Sequence, residues 1–229
     1  MMQPDMIQDE TSARHWLRET LGADAAAMAR LERLAELLLV ENERQNLVAR
    51  GTIPHVWQRH IVDSAQLLAV PRETVPAGLW LDLGSGAGFP GLVVAALQPE
   101  REVVLVDSRR LRIEWLQRAA GELSLTNVRA VLARVEDLEL DRAAVISARA
   151  FAPLEKLLQI SARFSTPETL WVLPKGASAQ QELSSLTKKW QHVFHVEQSL
   201  TDSAAGIVIG HLLGYGNNEA PQRQRGKRR

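Results

Sequence analysis

No cysteine occurs among the 229 residues. Its absence excludes thiolate nucleophiles, Cys-ligated zinc and iron–sulfur clusters, and leaves the fold indifferent to the redox state of its compartment. No apolar run exceeds the six residues from Leu92 to Leu97, against the roughly 20 that a membrane-spanning helix needs. The start of the chain carries Asp5, Asp9 and Glu10 and no basic stretch ahead of an apolar one, which is not the pattern of a secretory signal. A cytoplasmic protein is expected, monomeric by default and without a membrane partner. Net charge is lacking too, with 27 Lys+Arg against 27 Asp+Glu. That balance hides an asymmetry: five basic residues and one acidic follow from Glu219 onward, leaving 22 basic and 26 acidic over residues 1–218. The segment 215–229, with Arg223, Arg225 and almost no apolar residue, reads as a disordered basic tail drawn to RNA or as a plain solubilising terminus.

Two regions differ in pattern. Residues 1–70 read as a helical extension: Asp24 is placed to cap a long helix reaching about Val48, with Leu31, Leu34 and Leu38 at helical spacing, and Thr52 with Pro54 suggests a second start. From 71 to 214 short β-rich runs at 79–83, 103–107, 128–132, 144–147 and 170–173 alternate with helical stretches at 90–97, 109–123, 153–164 and 178–189. Runs apolar on consecutive residues, such as Val103 to Val106, belong in a parallel sheet covered on both faces. Two further strands, 192–196 and 207–213, have no helix between them and predict an antiparallel hairpin at the sheet edge. His192 and His195, three apart in such a strand, face opposite ways, so no metal site is expected. The fold class is α/β, Rossmann-like, with a mostly parallel seven-stranded sheet, an antiparallel edge hairpin and the helical extension.

The most informative segment is Trp80-Leu81-Asp82-Leu83-Gly84-Ser85-Gly86-Ala87-Gly88-Phe89-Pro90-Gly91. A strand running into glycines that tolerate positive φ and close backbone approach, followed by a helix, is a ligand loop at the carboxyl edge of an open sheet. Gly86, Gly88 and Gly91 satisfy the dinucleotide pattern G-x-G-x-x-G, and Asp107 stands where a carboxylate would bind ribose hydroxyls of either NAD or S-adenosylmethionine. Asp82, two before Gly84, repels a pyrophosphate and suits an ammonium and sulfonium ligand, which favours S-adenosylmethionine; a purely structural turn is the third reading.

Asp82 to Gly91, Val106-Asp107-Ser108, Arg134-Val135-Glu136, Ile146 to Phe151 with Arg149-Ala150-Phe151, and Lys175-Gly176 together resemble the RsmG family, also called glucose-inhibited division protein B. Upstream, Asn46-Leu47 and Arg59-His60-Ile61-Val62-Asp63-Ser64 are similar to its N-terminal motifs, so the resemblance covers roughly residues 46–213. It implies a Rossmann-like class I methyltransferase that methylates N7 of one guanine in bacterial 16S rRNA. It further implies cofactor contacts at Gly84 and Phe89, at Val135 and Glu136 beside the adenine, and at Arg149 after the fourth strand. One departure is Leu111-Arg112, where many members carry Lys-Arg; Arg109 and Arg110 are left as substitutes for an RNA contact.

Some RNA methylations drop out on the residues alone. Methylation at C5 of pyrimidines uses a cysteine, which is absent. Exocyclic-amino methylation uses an Asn/Asp-Pro-Pro-aromatic loop, where this chain has Ser147-Ala148-Arg149-Ala150-Phe151. Guanine N7 has a lone pair and no proton, so its methylation needs no general base. Catalytic candidates are therefore positioning groups. Arg149 is one, with a surface ion pair as its plainer reading. Phe151 is a stacking platform or a core residue, and Asn46 contacts the guanine edge or terminates a long helix. His60 and Asp63, at i and i+3, turn one face to the site, or are a local pair or an Asp63 helix cap; His60 and Lys175 are further RNA contacts, Lys175 to phosphate, with a plain solvated Lys as its other reading. The partner on this reading is 16S rRNA, or the small subunit or its precursor. A non-catalytic ribosome-assembly factor that keeps a cofactor-shaped pocket, and a small-molecule methyltransferase, are the alternatives.

Overall fold

The computed structural model describes residues 6–71 and 73–215. The tail residues Arg223 and Arg225 lie outside the described residues. Helix α1 (Glu10–Glu19) starts at a reciprocal cap in which Asp9 accepts from the Ser12 N–H and Ser12 returns a bond to the Asp9 N–H. Helix α2 (Ala25–Gln45) is capped by Asp24, whose carboxylate accepts from the Ala27 N–H at 2.7 Å, and it ends at Asn46 in the left-handed conformation (φ 47°). Its stripe of Leu31, Leu34 and Leu38 is fully buried; each such side chain contributes about 1.5–3 kcal/mol relative to exposure. The expected second helix is an irregular path over 50–68: a 3-10 segment, a π turn (Trp57–Val62), a single α turn, α3 (Asp63–Ala65), and a closing 3-10 turn.

The sheet comprises β1 (Trp80–Leu83), β2 (Val103–Asp107), β3 (Val128–Leu132), β4 (Val145–Ala148), β5 (Leu170–Gly176), β6 (Trp190–His192), β7 (His195–Gln198) and β8 (Gly206–Tyr215). Strands run in the order β3-β2-β1-β4-β5-β8-β6, with β7 also on β8; the pairings among β1 to β5 are parallel and those of β8 antiparallel. Every residue of β1, β2 and β4 is buried, as consecutive apolar residues require when both faces are covered. One face packs Trp80, Val103, Leu105 and Val145 against α2, α4 (Gly91–Leu97) and α5 (Arg110–Glu122). The other packs Leu81, Leu83, Val104, Val106 and Ile146 against α6 (Leu154–Ser161) and α7 (Ala179–Ser184).

Eight strands stand where seven are expected, because the run 192–196 is broken. The register on β8 shifts between Gln191 and His192, and after the Val193 N–H, which donates to the His211 carbonyl, the pairing lapses until His195. At Gly210 (φ 139°) the Val193 carbonyl oxygen stands 2.3 Å from where a Cβ would be, a close approach that only glycine permits. β6 and β7 are thus two halves of one edge strand. The helix expected over 178–189 is only the short α7. Among the described residues no helix is long and apolar enough to cross a membrane.

Candidate active site

β1 has β2 on one side and β4 on the other, so the strand order reverses there and a crevice opens at the carboxyl ends. The glycine loop fills it. Gly86 (φ 54°) presents bare backbone to the opening: a Cβ there would meet nothing nearer than the Gly84 carbonyl at 3.6 Å and Arg109 Nη2 at 3.8 Å. The Gly86 N–H donates to Asp107 Oδ2 at 3.0 Å. Asp107, at the end of β2, accepts from the Arg109 N–H at 2.9 Å and from Arg109 Nε and Nη2 at 3.1 Å each. Burial works to raise the Asp107 pKa, but these hydrogen bonds and the Arg109 charge outweigh it and hold the carboxyl below the usual range. A chamber of about 740 Å³ adjoins, lined by Gly84, Asp107, Arg109, Val135, Glu136 and Phe151 among others.

Asp82 corrects the sequence reading. It is fully buried, its Oδ1 accepting from Ser147 Oγ at 2.7 Å and its Oδ2 from the Gly91 N–H at 3.3 Å. Ser147 in turn accepts from Trp80 Nε1 at 2.8 Å. Burial pushes the carboxyl up to about 6, against the opposing pull of its hydrogen bonds. Asp82 braces the loop from behind and has no surface to offer a ligand. Gly88 is likewise turned inward against Leu92, its N–H donating to the Ser85 carbonyl at 2.7 Å.

The segment after β4 carries the densest polar network. Arg149 Nη2 donates to His60 Nδ1 at 2.9 Å, and Arg149 Nη1 lies 3.2 Å from Asp63 Oδ2, a charge contact out of hydrogen-bond alignment. A guanidinium only donates, so His60 Nδ1 is the acceptor and Nε2 carries the proton. That proton goes to Thr52 Oγ1 at 2.7 Å, which donates onward to the Ala49 carbonyl at 2.7 Å. Burial, then the charges of Arg149 and Arg59, hold the imidazole down at about 3, so it is neutral. The His60 ring stacks on Phe89 with centroids 5.2 Å apart. Buried to 4%, His60 orients Arg149. Ala150 follows with φ 50°, a strained conformation for a residue with a Cβ. Phe151, 38% exposed, lays its ring against Gly84.

Lys175 is a second correction. Its side chain is 7% exposed, with Nζ 3.1 Å from Glu182 Oε2 and donating to the Ala152 carbonyl. Glu182 Oε2 also accepts from the Leu154 N–H at 2.7 Å. Lys175 therefore secures the loop leading into α6 and has no free charge for a phosphate. Asn46 is exposed at the end of α2, its carbonyl accepting from Arg112 Nη2 at 3.2 Å; the helix-ending reading describes it, while Leu47, Val48 and Ala49 after it line a smaller cavity with Gly86 and Arg149. Arg112, at the departing position, thus ties α5 to α2. Arg110 and Glu136 are exposed, Glu136 paired with Arg134 at 3.6 Å. Sequence reasoning missed Ser147 and Glu182, the partners of Asp82 and Lys175; nothing in their spacing sets them apart from ordinary surface and strand residues.

The family profile for rRNA small subunit methyltransferase G (GidB) matches residues 27–208. The ribosomal RNA small subunit methyltransferase G of Novosphingobium aromaticivorans is 69% identical over 212 residues, 93% of this chain and 92% of that one. The protein of the same name from Erythrobacter litoralis is 60% identical over 206 residues, 90% and 97% of the two chains. Among solved structures, a SAM-dependent methyltransferase from Aquifex aeolicus aligns with TM-score 0.54 at 14% identity, over 70% of this chain and 93% of that one. A mutant of MtNAS in complex with S-adenosylmethionine aligns with TM-score 0.55 at 14% identity, over 90% and 84%. Those two likenesses are of fold, the Rossmann-like class I methyltransferase fold. The extent of the profile match and the two close relatives settle the family: this chain belongs to the rRNA small subunit methyltransferase G family.

Proposed function

We propose that this protein transfers the methyl group of S-adenosylmethionine to N7 of a guanine in bacterial 16S ribosomal RNA, acting in the cytoplasm on the rRNA or the small subunit. The observation that carries the reading is the Asp107 carboxylate in the wall of the larger chamber, with the Gly86 N–H of the glycine loop on its Oδ2. A ribose diol would take the place of the Arg109 guanidinium on the Asp107 oxygens, whose acceptor positions Arg109 and the Gly86 N–H fill in this structure, Val135 and Glu136 flank the space for an adenine, and Gly86, where a Cβ would meet nothing nearer than 3.6 Å, leaves room for the remainder. A dinucleotide fits poorly, because the start of α4 offers no free donor to a pyrophosphate: Pro90 lacks an N–H, the Gly91 N–H is taken by Asp82 and the Leu92 N–H by the Gly88 carbonyl. The helix terminus that binds phosphates elsewhere is spent internally.

When bound, the cofactor supplies an electrophilic methyl on a sulfonium. Guanine N7 presents an in-plane lone pair and loses no proton, so the protein's work is approximation and alignment, which supply about 7–11 kcal/mol when two reactants are held in near-attack geometry. The residues match that task. His60 is a neutral hydrogen-bond relay, Arg149 is fixed between His60 and Asp63, and Phe151 offers an exposed ring at the mouth. Incubation of the protein with methyl-labelled S-adenosylmethionine and 16S rRNA or small subunits is expected to give 7-methylguanosine at one position. Cofactor binding without transfer to either substrate would favour the assembly-factor reading and overturn this one.

A further inference from the structure

A second chamber, of about 580 Å³, lies across the Arg149-Ala150-Phe151 segment from the cofactor chamber. Six charged side chains line it, three of each sign: Arg59, Arg149 and Lys175, with Asp63, Glu182 and Asp202. All six are paired within its walls. Arg59 meets Asp202 at 2.9 Å, Arg149 meets Asp63 at 3.2 Å and Lys175 meets Glu182 at 3.1 Å. His60, the one other titratable group facing it, is neutral. A phosphate entering such a space must break a pair and leave a carboxylate beside it, whereas a flat, uncharged ring rich in donors and acceptors finds partners without disturbing the balance.

We propose that this chamber holds the base to be methylated, and that Asp202 selects guanine by accepting hydrogen bonds from its N1–H and N2–H groups. The inference rests on the methyl-transfer reading above and deepens it. The purine edge bearing N1 and N2 lies opposite N7. With N7 turned to the cofactor chamber over β1 and β2, that edge faces the far side of the space, beyond β5, where the loop from β7 to β8 carries Asp202. The other two carboxylates are committed. Glu182 accepts from Lys175, the Leu154 N–H and Ser178 Oγ, and Asp63 accepts from Gln66 Nε2 and Thr201 Oγ1 while facing Arg149. Asp202 holds one bond on each oxygen, from Arg59 Nη1 and from the Ala204 N–H, and its side chain is 34% exposed. A carboxylate has about four acceptor sites, so two remain for a ligand. The Arg59 hydrogen bond, then the Ala204 N–H, hold its pKa below the ordinary carboxylate value, so it is an acceptor only. Adenine, with a lone pair at N1, is repelled.

The test compares a 16S rRNA fragment carrying the unmethylated target guanine with the same fragment bearing inosine there, which lacks the N2 amino group. Wild-type protein is expected to lose about tenfold in kcat/KM on inosine, the worth of one hydrogen bond to a charged acceptor. Asp202→Asn keeps an oxygen for the Ala204 N–H and so preserves the turn. It should lose about 10–100-fold on guanine and bring the guanine-to-inosine ratio to near one, as should Asp202→Ala, with calorimetric affinity for S-adenosylmethionine unchanged in both. Retention of the tenfold preference by Asp202→Asn overturns the assignment, as does a gain in low-salt RNA affinity with the preference intact, which marks a phosphate site. Failure of the wild-type protein to methylate N7 on the guanine fragment strikes the transfer reaction itself, a separate result.

Discussion

Asp82 and Asp107 stand at the ends of adjacent strands and both are buried, yet their partners put them to opposite uses. Asp107 keeps its charge because Arg109 and two backbone N–H groups face it, so Asp107→Ala removes a charge-assisted acceptor from the ribose position. The expected loss is about 1–3 kcal/mol in S-adenosylmethionine binding by calorimetry, with RNA affinity unchanged; an RNA defect with normal cofactor binding would put Asp107 on the wrong side of the site. Asp82 keeps its proton up to about pH 6 in the folded chain, while the unfolded carboxyl releases it at about 4. Between those values the folded state binds more protons, so the stability of the wild-type protein is greatest below the lower value and falls as pH rises through the upper one. Roughly two pKa units correspond to about 3 kcal/mol. Urea unfolding of wild type and Asp82→Asn from pH 4 to 7 should therefore show the stability difference moving toward the Asn variant by about that amount. A pH-independent difference would mean that Asp82 is not desolvated as the structure describes. Proximity to the glycines in sequence suggests a ligand contact for Asp82; its actual partners, Ser147 and Gly91, follow from strand order, which no local pattern encodes.

The loop between β4 and α6 is held from both sides, by Arg149 on the N-terminal segment and by Lys175 on the Ala152 carbonyl. Between them sits the strained Ala150, and strain of about 1–3 kcal/mol persists only where the surroundings over-determine the conformation. Lys175→Met should therefore destabilise the fold by about 1–3 kcal/mol in urea unfolding, less than a deeply buried pair because Glu182 keeps some solvent. It should leave the slope of log K against log salt for RNA binding unchanged. A flattening by about 0.7, the value for one phosphate contact to a single strand, would restore Lys175 to the RNA-facing role that its position at the end of β5 suggests. Element types were legible where hydrophobic period and caps agree, as in α2, whose Asp24 cap is in place, and in β2 and β3. They were not legible where tertiary packing overrides period: the path over 50–68 bends through a π turn that brings His60 and Asp63 to Arg149, and the edge strand breaks where Val193 meets Gly210.

At the scale of the whole molecule, the helical extension and one face of the sheet share a single apolar cluster, Leu31, Leu34 and Leu38 with Trp80, Leu92 and Val103. The extension also reaches the loop after β4, through His60 and Asp63 on Arg149. A folded body so arranged presents its chamber of about 580 Å³ with every lining charge paired, so long-range attraction for RNA has to come from elsewhere. The sequence supplies a source: the body over residues 1–218 carries 26 acidic and 22 basic groups, and the last eleven residues carry five basic and one acidic. Each phosphate neutralised by a Lys or Arg releases condensed counterions and steepens the dependence of log K on log salt by roughly 0.7 for single strands. About two or three of the five contacts are expected to form together. Deletion of residues 219–229 should then weaken RNA binding at low salt and flatten the slope by roughly 1.4–2.1, while the methylated nucleotide stays the same, because selection resides in the folded chamber and not in the tail. An unchanged slope would reduce the tail to a solubilising terminus, and a changed methylation site would mean that the body alone does not choose the guanine.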